Sequence, residues 1–303
     1  MFGKRIFLWN LPAVGGITRL IELLREGGFQ GVDVKITDGI LPFKSGKRDN
    51  ITPEEVKLLQ DSGFDVCGWS FFYGNRIDQE IATAIEAIGK LNLRSHLSDV
   101  EGAFESQRNV LTNSRRVARE IKKAHPGILE GFCTFACYTN PRTGKPWHNR
   151  EMYRIWMEEA DFGVPMIYWD GSSVESALWW LTNSVAQWEA VTTKPIIPAG
   201  RAYVGDGGIP TPIAVQAFGE AVFRKHPGIT WWSLEHAIKQ PKAWEVLKKQ
   251  PGWAQTQPHR PQLEKILSDL RGYSAMDSFP AWARNIFITA QVQLQNRLND
   301  EEG

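Results

Sequence analysis

The stretch TPEEVKLLQDSGFDV, residues 52–66, contains one complete passage from a helix to a strand. Thr52 supplies a capping hydroxyl, Pro53 takes the first helical position, and two glutamates follow in the first turn. Gly63 provides a helix stop directly before an apolar, β-rich run. The stretch therefore predicts a helix beginning at Pro53 and a strand that follows it at once.

The same alternation of β-rich runs and amphipathic helical stretches continues along the chain. Strands are predicted near residues 5–10, 31–37, 65–72, 95–101, 129–138, 164–169, 195–203 and 228–235. Eight such units in about 250 residues are typical of a (β/α)8 TIM barrel. A doubly wound open sheet is the competing fold, but the first strand is not followed by its glycine-rich phosphate loop.

The alternation stops near residue 250, where several prolines interrupt the chain. We therefore expect a barrel over residues 1–250 and a helical C-terminal extension over residues 251–303. The extension could pack on the barrel or serve self-association or a structural partner.

Composition excludes several classes of protein. The net charge is +1, from 35 basic and 34 acidic residues, which does not favour a nucleic-acid partner. No apolar run is long enough for a membrane span, and no signal peptide is recognisable, so we expect a cytoplasmic protein or one released without a signal, as phage proteins are. Three cysteines and six histidines show no ligand spacing, so neither a metal nor a cofactor is expected.

Two carboxyl groups stand at the end of the fourth predicted strand, in the sequence His96-Leu97-Ser98-Asp99-Val100-Glu101-Gly102. Side chains two positions apart on a strand point the same way, so Asp99 and Glu101 would share one wall of the barrel mouth. Paired carboxylates at such a place are typical of glycosidic bond cleavage. A solvated acidic loop is the alternative interpretation.

Other strand ends supply further candidates. In the second strand, Asp33 and Lys35 alternate with apolar residues and would point inward, where a buried lysine needs an acidic partner from Asp33 or a neighbouring strand. A Schiff-base lysine is the alternative role for Lys35. Aromatic residues that could stack on sugar rings crowd these strand ends. The set expected around one cavity comprises Asp99, Glu101, Tyr168, Asp170, Trp232 (or Trp231 if the parity of the strand shifts) and Glu235. Asn10, Lys35 and Trp69 are further candidate substrate-binding residues.

Short motifs on three strands resemble glycoside hydrolase family 25, a family of barrel muramidases that are often phage or bacterial lysins. The motifs are Lys35-Ile36-Thr37-Asp38-Gly39, Gly68-Trp69-Ser70-Phe71 and Asp99-Val100-Glu101. Where that family has an aspartate at the end of strand one, this chain has Asn10.

A partial resemblance to the family 18 chitinases rests on the same Asp99-Val100-Glu101 together with Met166-Ile167-Tyr168 and Trp232-Ser233-Leu234. Both families act on N-acetylhexosamine polymers. The resemblance implies that Glu101 is the acid/base, that Asp99 orients the substrate acetamido group as nucleophile, and that Tyr168 helps to hold it. Because the motifs are incomplete, a catalytically inactive barrel with a sugar-binding or virion-type structural role is the alternative.

Overall fold

Parallel strands close into a barrel in the computed structural model, which describes residues 2–205 and 208–250. The expected C-terminal extension, residues 251–303, lies outside the described residues. The barrel strands are β1 (Gly3–Leu8), β2 (Gly31–Asp38), β3 (Asp65–Phe72), β4 (Ser95–Val100), β5 (Leu129–Phe135), β6 (Phe162–Ile167), β7 (Ala199–Arg201) and β8 (Gly228–Trp232).

Helices follow the strands and surround the barrel. They are α1 (Ile17–Glu26), α2 (Pro53–Asp61), α3 (Ile77–Leu91), α4 (Val110–Ala124), α5 (Arg150–Glu159), α6 (Val174–Glu189), α7 (Pro212–Lys225) and α8 (Pro241–Lys249). Strand β1 pairs in parallel with both β8 and β2, which closes the sheet. The predicted (β/α)8 TIM barrel is confirmed, and the open sheet is excluded.

The local signals in the sequence have the expected structural effect at α2. The Thr52 hydroxyl accepts a hydrogen bond from the Glu55 amide at 3.3 Å, and the Glu55 carboxylate accepts one from the Thr52 amide at 2.9 Å. This reciprocal capping box satisfies amides that the first helical turn leaves without partners. Gly63 adopts φ +89°, a left-handed conformation that only glycine reaches without strain.

The core has two layers, one inside the barrel and one between strands and helices. The inner layer is formed by Phe7, Cys67, Trp69, Leu97, Cys133, Phe162, Val164, Ile197 and Ala199. The outer layer is larger and includes Trp231, which packs against Phe218 of α7 with ring centroids 5.7 Å apart. Because alternate strand residues face opposite layers, Trp232 turns to the barrel interior while Trp231 does not.

The end of β8 differs from the sequence prediction. The strand was expected to continue to residue 235, which would have put Trp231, Ser233 and Glu235 on one side. It ends at Trp232, and Ser233 is the N-cap of a short helix, Leu234–Ala237. Glu235 therefore takes its direction from that helix and not from strand alternation.

Candidate active site

Three tryptophans form an aromatic cluster at the carboxyl ends of the strands. Trp9 follows β1, Trp69 belongs to β3 and Trp232 ends β8. Their ring centroids lie 5.6 Å (Trp9 to Trp69), 5.5 Å (Trp9 to Trp232) and 5.8 Å (Trp69 to Trp232) apart, all edge to face. Trp69 is fully buried, whereas 41% of Trp9 remains exposed. The cluster therefore joins the barrel core to an accessible aromatic surface.

Lys35 is buried against this cluster. Its Nζ lies 4.0 Å from the centroid of the Trp9 ring and 4.9 Å from that of Trp69. The acidic partner is Asp38 of the same strand, at 3.6 Å, and not Asp33 or a neighbouring strand as the sequence suggested. Asp33 instead accepts a hydrogen bond from Arg5 Nε at 2.8 Å, deeper in the barrel.

A register irregularity explains the difference. In the pairing of β2 with β3, Lys35 is opposite Trp69 but Thr37 is opposite Ser70, so Ile36 has no opposite residue. One extra residue reverses the alternation of the strand. Asp38 consequently shares a side with Lys35, although three positions separate them.

Asp99 and Glu101 lie at the end of β4, as the sequence predicted. Asp99 is on the strand and 6% exposed, and Glu101 is the first residue after it, at the N-terminus of the short helix Gly102–Glu105. Burial raises the pKa of Asp99 well above its usual range, and the negative charge of Glu101 raises it further. Burial also raises the pKa of Glu101, while Lys35 opposes both shifts. Both carboxyls therefore hold their protons to higher pH than an exposed carboxyl does.

Tyr168 follows β6 and reaches the same region. Its hydroxyl is buried and has no hydrogen-bond partner in the part of the chain that the structure describes. Burial raises the pKa of this phenol well above its usual range, with smaller contributions from Cys133 and Asp99. Asp99 Oδ1 is likewise buried without a partner among the described residues. Buried polar atoms are normally hydrogen-bonded, so these two atoms lack the partner that such groups usually have.

The Glu101 cavity, as we name it, opens beside these groups and has a volume of about 270 Å³. Its lining consists of Glu101, Phe135, Ala136, Cys137, Trp147, His148, Met166, Tyr168 and Trp180. Trp147 and Trp180 stack nearly parallel, with centroids 6.0 Å apart. The cavity thus combines the rim carboxyl with an aromatic wall, which offers a large apolar contact area.

A second opening, the Trp232 cavity, has a volume of about 480 Å³ and is lined in part by two members of the aromatic cluster, Trp9 and Trp232. Trp9, Asn10, Ala13, Trp232, Glu235 and His236 line it. Here Glu235 accepts a hydrogen bond from the Asn10 amide at 2.5 Å, and the Asn10 side chain accepts one from Ser45 at 2.8 Å. Of the expected residues, Asn10, Trp232 and Glu235 therefore line this cavity, whereas Glu101 and Tyr168 line the other.

Asp170 does not join either cavity lining. Its carboxylate accepts hydrogen bonds from Trp180 Nε1 at 2.6 Å and Arg142 Nη2 at 2.8 Å, and its side chain is 49% exposed. The expectation that Asp170 converges with Asp99 and Glu101 is corrected by this placement. Asp170 orients Trp180, which itself lines the Glu101 cavity.

The sequence patterns did not identify Trp147, His148 or Trp180 as residues of the Glu101 cavity. The only signal is the long segment between β5 and α5, residues 136–149, because loops at the carboxyl ends of barrel strands build active sites. Within the described residues, 2–205 and 208–250, no cluster of three or more histidine, cysteine or acidic side chains could hold a metal ion.

No helix in residues 2–205 and 208–250 is both long enough and apolar enough to cross a membrane.

No protein-family model matches the chain, and the search of curated proteins gives no match. Solved structures do match. A chitinase from Bacteroides thetaiotaomicron has a TM-score of 0.63 at 12% identity, over 86% of this chain and 99% of that chain. A GH18 chitinase from Pseudoalteromonas aurantia has a TM-score of 0.62 at 14% identity, over 84% of this chain and 100% of that chain.

The Bacillus cereus spore cortex-lytic enzyme SleL has a TM-score of 0.59 at 10% identity, covering 81% of this chain and 73% of that chain. At such low identity these matches show a shared barrel fold, and any activity must be argued from the side chains of this chain.

Proposed function

We propose that the chain is a glycoside hydrolase that cleaves an N-acetylhexosamine polymer of the peptidoglycan or chitin type. One observation carries the proposal. At a barrel mouth lined with tryptophans, Glu101 lies in the same region as two buried polar atoms, Asp99 Oδ1 and the Tyr168 hydroxyl, that have no partner among the described residues. The strand-four resemblance to family 25 and family 18 enzymes supports the same substrate class.

In this mechanism Glu101 is the general acid. Its raised pKa keeps it protonated closer to neutral pH, so that it can donate a proton to the glycosidic oxygen as the bond to the anomeric carbon breaks. The acetamido carbonyl oxygen of the same sugar attacks that carbon and forms a cyclic oxazolinium ion. Glu101, now ionised, then removes a proton from water, which opens the ring and releases the sugar.

Asp99 and Tyr168 would bind the acetamido group during this step. The Asp99 carboxyl would accept a hydrogen bond from the acetamido N–H, and the Tyr168 hydroxyl would donate one to its carbonyl oxygen. Both interactions occupy buried atoms that have no partner within residues 2–205 and 208–250. Trp232 would form the floor beneath the sugar ring, and it packs against Trp69, whose ring is in turn contacted by Lys35.

The test is the release of reducing ends from purified peptidoglycan and from chitin. We expect release from at least one polymer by the wild type, and a loss of roughly 10²–10⁴-fold in Glu101→Gln, the usual contribution of a general acid. Glu120→Gln, a change on the outer helix α4, is the matched control and should leave the rate unchanged.

A sugar-binding barrel without hydrolysis is the second candidate. It is favoured by Asn10, which stands where family 25 has an aspartate. The Asn10 side-chain oxygen already accepts a hydrogen bond from the Ser45 hydroxyl. Binding of N-acetylhexosamine oligosaccharides without any release of reducing ends would select this candidate.

A further inference from the structure

His148 is held in a fixed position in the wall of the Glu101 cavity. Its ring stacks on Phe135 with centroids 4.1 Å apart and planes 12° from parallel. Its Nδ1 lies 2.7 Å from Glu105 Oε2. The other oxygen of Glu105 accepts a hydrogen bond from the Asn149 amide. Stacking and hydrogen bonding together define both the plane and the rotation of the imidazole.

These contacts also define which ring nitrogen is available. Glu105 accepts hydrogen bonds through both oxygens, so the Nδ1 of His148 is the donor of the pair. In the neutral ring, Nε2 then carries the free electron pair. No hydrogen bond to Nε2 is found within residues 2–205 and 208–250, and 20% of the His148 side chain is exposed. A ligand hydroxyl can therefore donate a hydrogen bond to it.

The position of the cavity indicates which part of a glycan would meet His148. Glu101 lines the same cavity as His148, whereas Trp232, the proposed floor beneath the sugar that supplies the acetamido group, lines a different cavity. The general acid must contact the oxygen of the departing sugar. A glycan that rests on Trp232 and reaches Glu101 thus places its departing sugar between His148 and the stacked Trp147–Trp180 pair.

We propose that His148 is a leaving-group binding residue whose Nε2 accepts a hydrogen bond from a hydroxyl of the departing sugar, with Glu105 as its positioning residue. This inference rests on the proposed function and extends it to the side of the cleaved bond that the sequence motifs do not cover. Glu105 belongs to the short helix that begins directly after Glu101. The hydrogen bond between His148 and Glu105 therefore connects the proposed leaving-group site to the segment that carries the general acid.

The test compares two substrates that differ only in the group that leaves. One is an N-acetylhexosamine oligosaccharide, and the other is a 4-methylumbelliferyl glycoside, whose leaving group has no sugar hydroxyl. In His148→Phe, which keeps a ring against Phe135, kcat/KM on the oligosaccharide should fall roughly tenfold, the loss expected from one hydrogen bond. On the aryl glycoside it should stay within about twofold of the wild type.

His148→Gln provides the conservative variant and also serves if the phenylalanine variant does not fold. Its amide can offer an acceptor near the Nε2 position, so it should recover part of the oligosaccharide activity. His125→Gln, at the C-terminal end of α4, is the control and should behave as the wild type on both substrates.

Equal losses on both substrates, or no loss on either, would overturn the role of His148 while leaving the proposed function intact. Failure of the wild type to cleave either substrate would instead refute the proposed function itself.

Discussion

The Lys35 ammonium lies over the indole ring of Trp9, 4.0 Å from its centroid, with three further aromatic rings within 5.7 Å. Burial lowers the pKa of Lys35, while the charges of Asp38, Asp99 and Glu101 raise it. The aromatic rings stabilise the cation without neutralising it. Its positive charge therefore remains available to favour the ionised forms of the two rim carboxyls.

Lys35→Met should change the pH dependence of hydrolysis. Lys35 lowers the pKa of Glu101, so removing the charge raises that pKa and keeps the acid protonated at higher pH. The alkaline limb of the kcat profile should move to higher pH. Methionine packs well against aromatic rings, so the melting temperature should change little. Lys57→Met on the exposed face of α2 is the control, and an alkaline limb that stays in place in Lys35→Met would contradict this role.

Tyr168→Phe should separate stability from activity. The Tyr168 hydroxyl is buried without a partner among the described residues, so its removal should leave the free energy of unfolding unchanged or raise it by about 1 kcal/mol. Activity should nevertheless fall by roughly tenfold or more, because the acetamido group loses a donor. Denaturant unfolding and kcat/KM measured on the same preparation test both halves. A destabilised variant with full activity would mean that the hydroxyl is structural.

Asp99→Asn should remove a pH-dependent loss of stability. Burial raises the pKa of folded Asp99 above the value of about 3.9 in an unfolded chain. The contribution of Asp99 to the free energy of unfolding is therefore fully present below about pH 4, and it is lost as the pH rises through the folded pKa. The variant has no group that titrates there. Its melting temperature relative to the wild type should increase from pH 4 upward, and a difference that is constant between pH 4 and 8 would contradict the burial of the carboxyl.

Asp33→Ala should destabilise the barrel strongly. Asp33 accepts hydrogen bonds from Arg5 Nε at 2.8 Å and from the Thr230 hydroxyl at 2.7 Å, and both charged side chains are almost completely buried. Removing one partner of a buried pair costs about 3–5 kcal/mol. Asp65→Ala removes the half-exposed partner of Arg5 and should cost about 1 kcal/mol or less. If chemical denaturation gave the same loss of unfolding free energy for both variants, Asp33 would not be the main counter-charge of Arg5.

The barrel could be predicted from the sequence because its signals are local. The capping box at Thr52 and the helix-ending Gly63 mark element boundaries without reference to the rest of the chain. The position of Asp99 and Glu101 at a strand end follows from the regular alternation of strands and helices along the chain. These features depend on spacing along the chain, which a single sequence displays directly.

The contacts within the site depend on local irregularities of the strands, which the spacing of residues along the chain does not reveal. An unpaired Ile36 shifts the register of β2 and gives Lys35 the partner Asp38. A short helix after Trp232 turns Glu235 toward Asn10. Each is a local break in a regular pattern, and a prediction based on strict alternation fails just beyond it.

Polar contacts between residues that are distant in the sequence could not be predicted either. The histidine at position 96 lies in the outer layer, where its Nδ1 is 2.8 Å from Glu130 and its Nε2 is 2.8 Å from the Ser70 hydroxyl. These residues come from three different strands, and all are fully buried. Nothing in the sequence links them, because the contacts arise only when the sheet is formed. The same is true of His148 and Glu105, which are 43 positions apart.

If the substrate acetamido group is the nucleophile and Glu101 the acid, the anomeric form of the first product must be the same as that of the cleaved bond. Proton NMR during cleavage of a β-linked N-acetylhexosamine oligosaccharide distinguishes the two anomers before they equilibrate. We expect the β-anomer to appear first, since two displacements at the anomeric carbon retain its configuration. Initial appearance of the α-anomer, or no new reducing end at all, would contradict it.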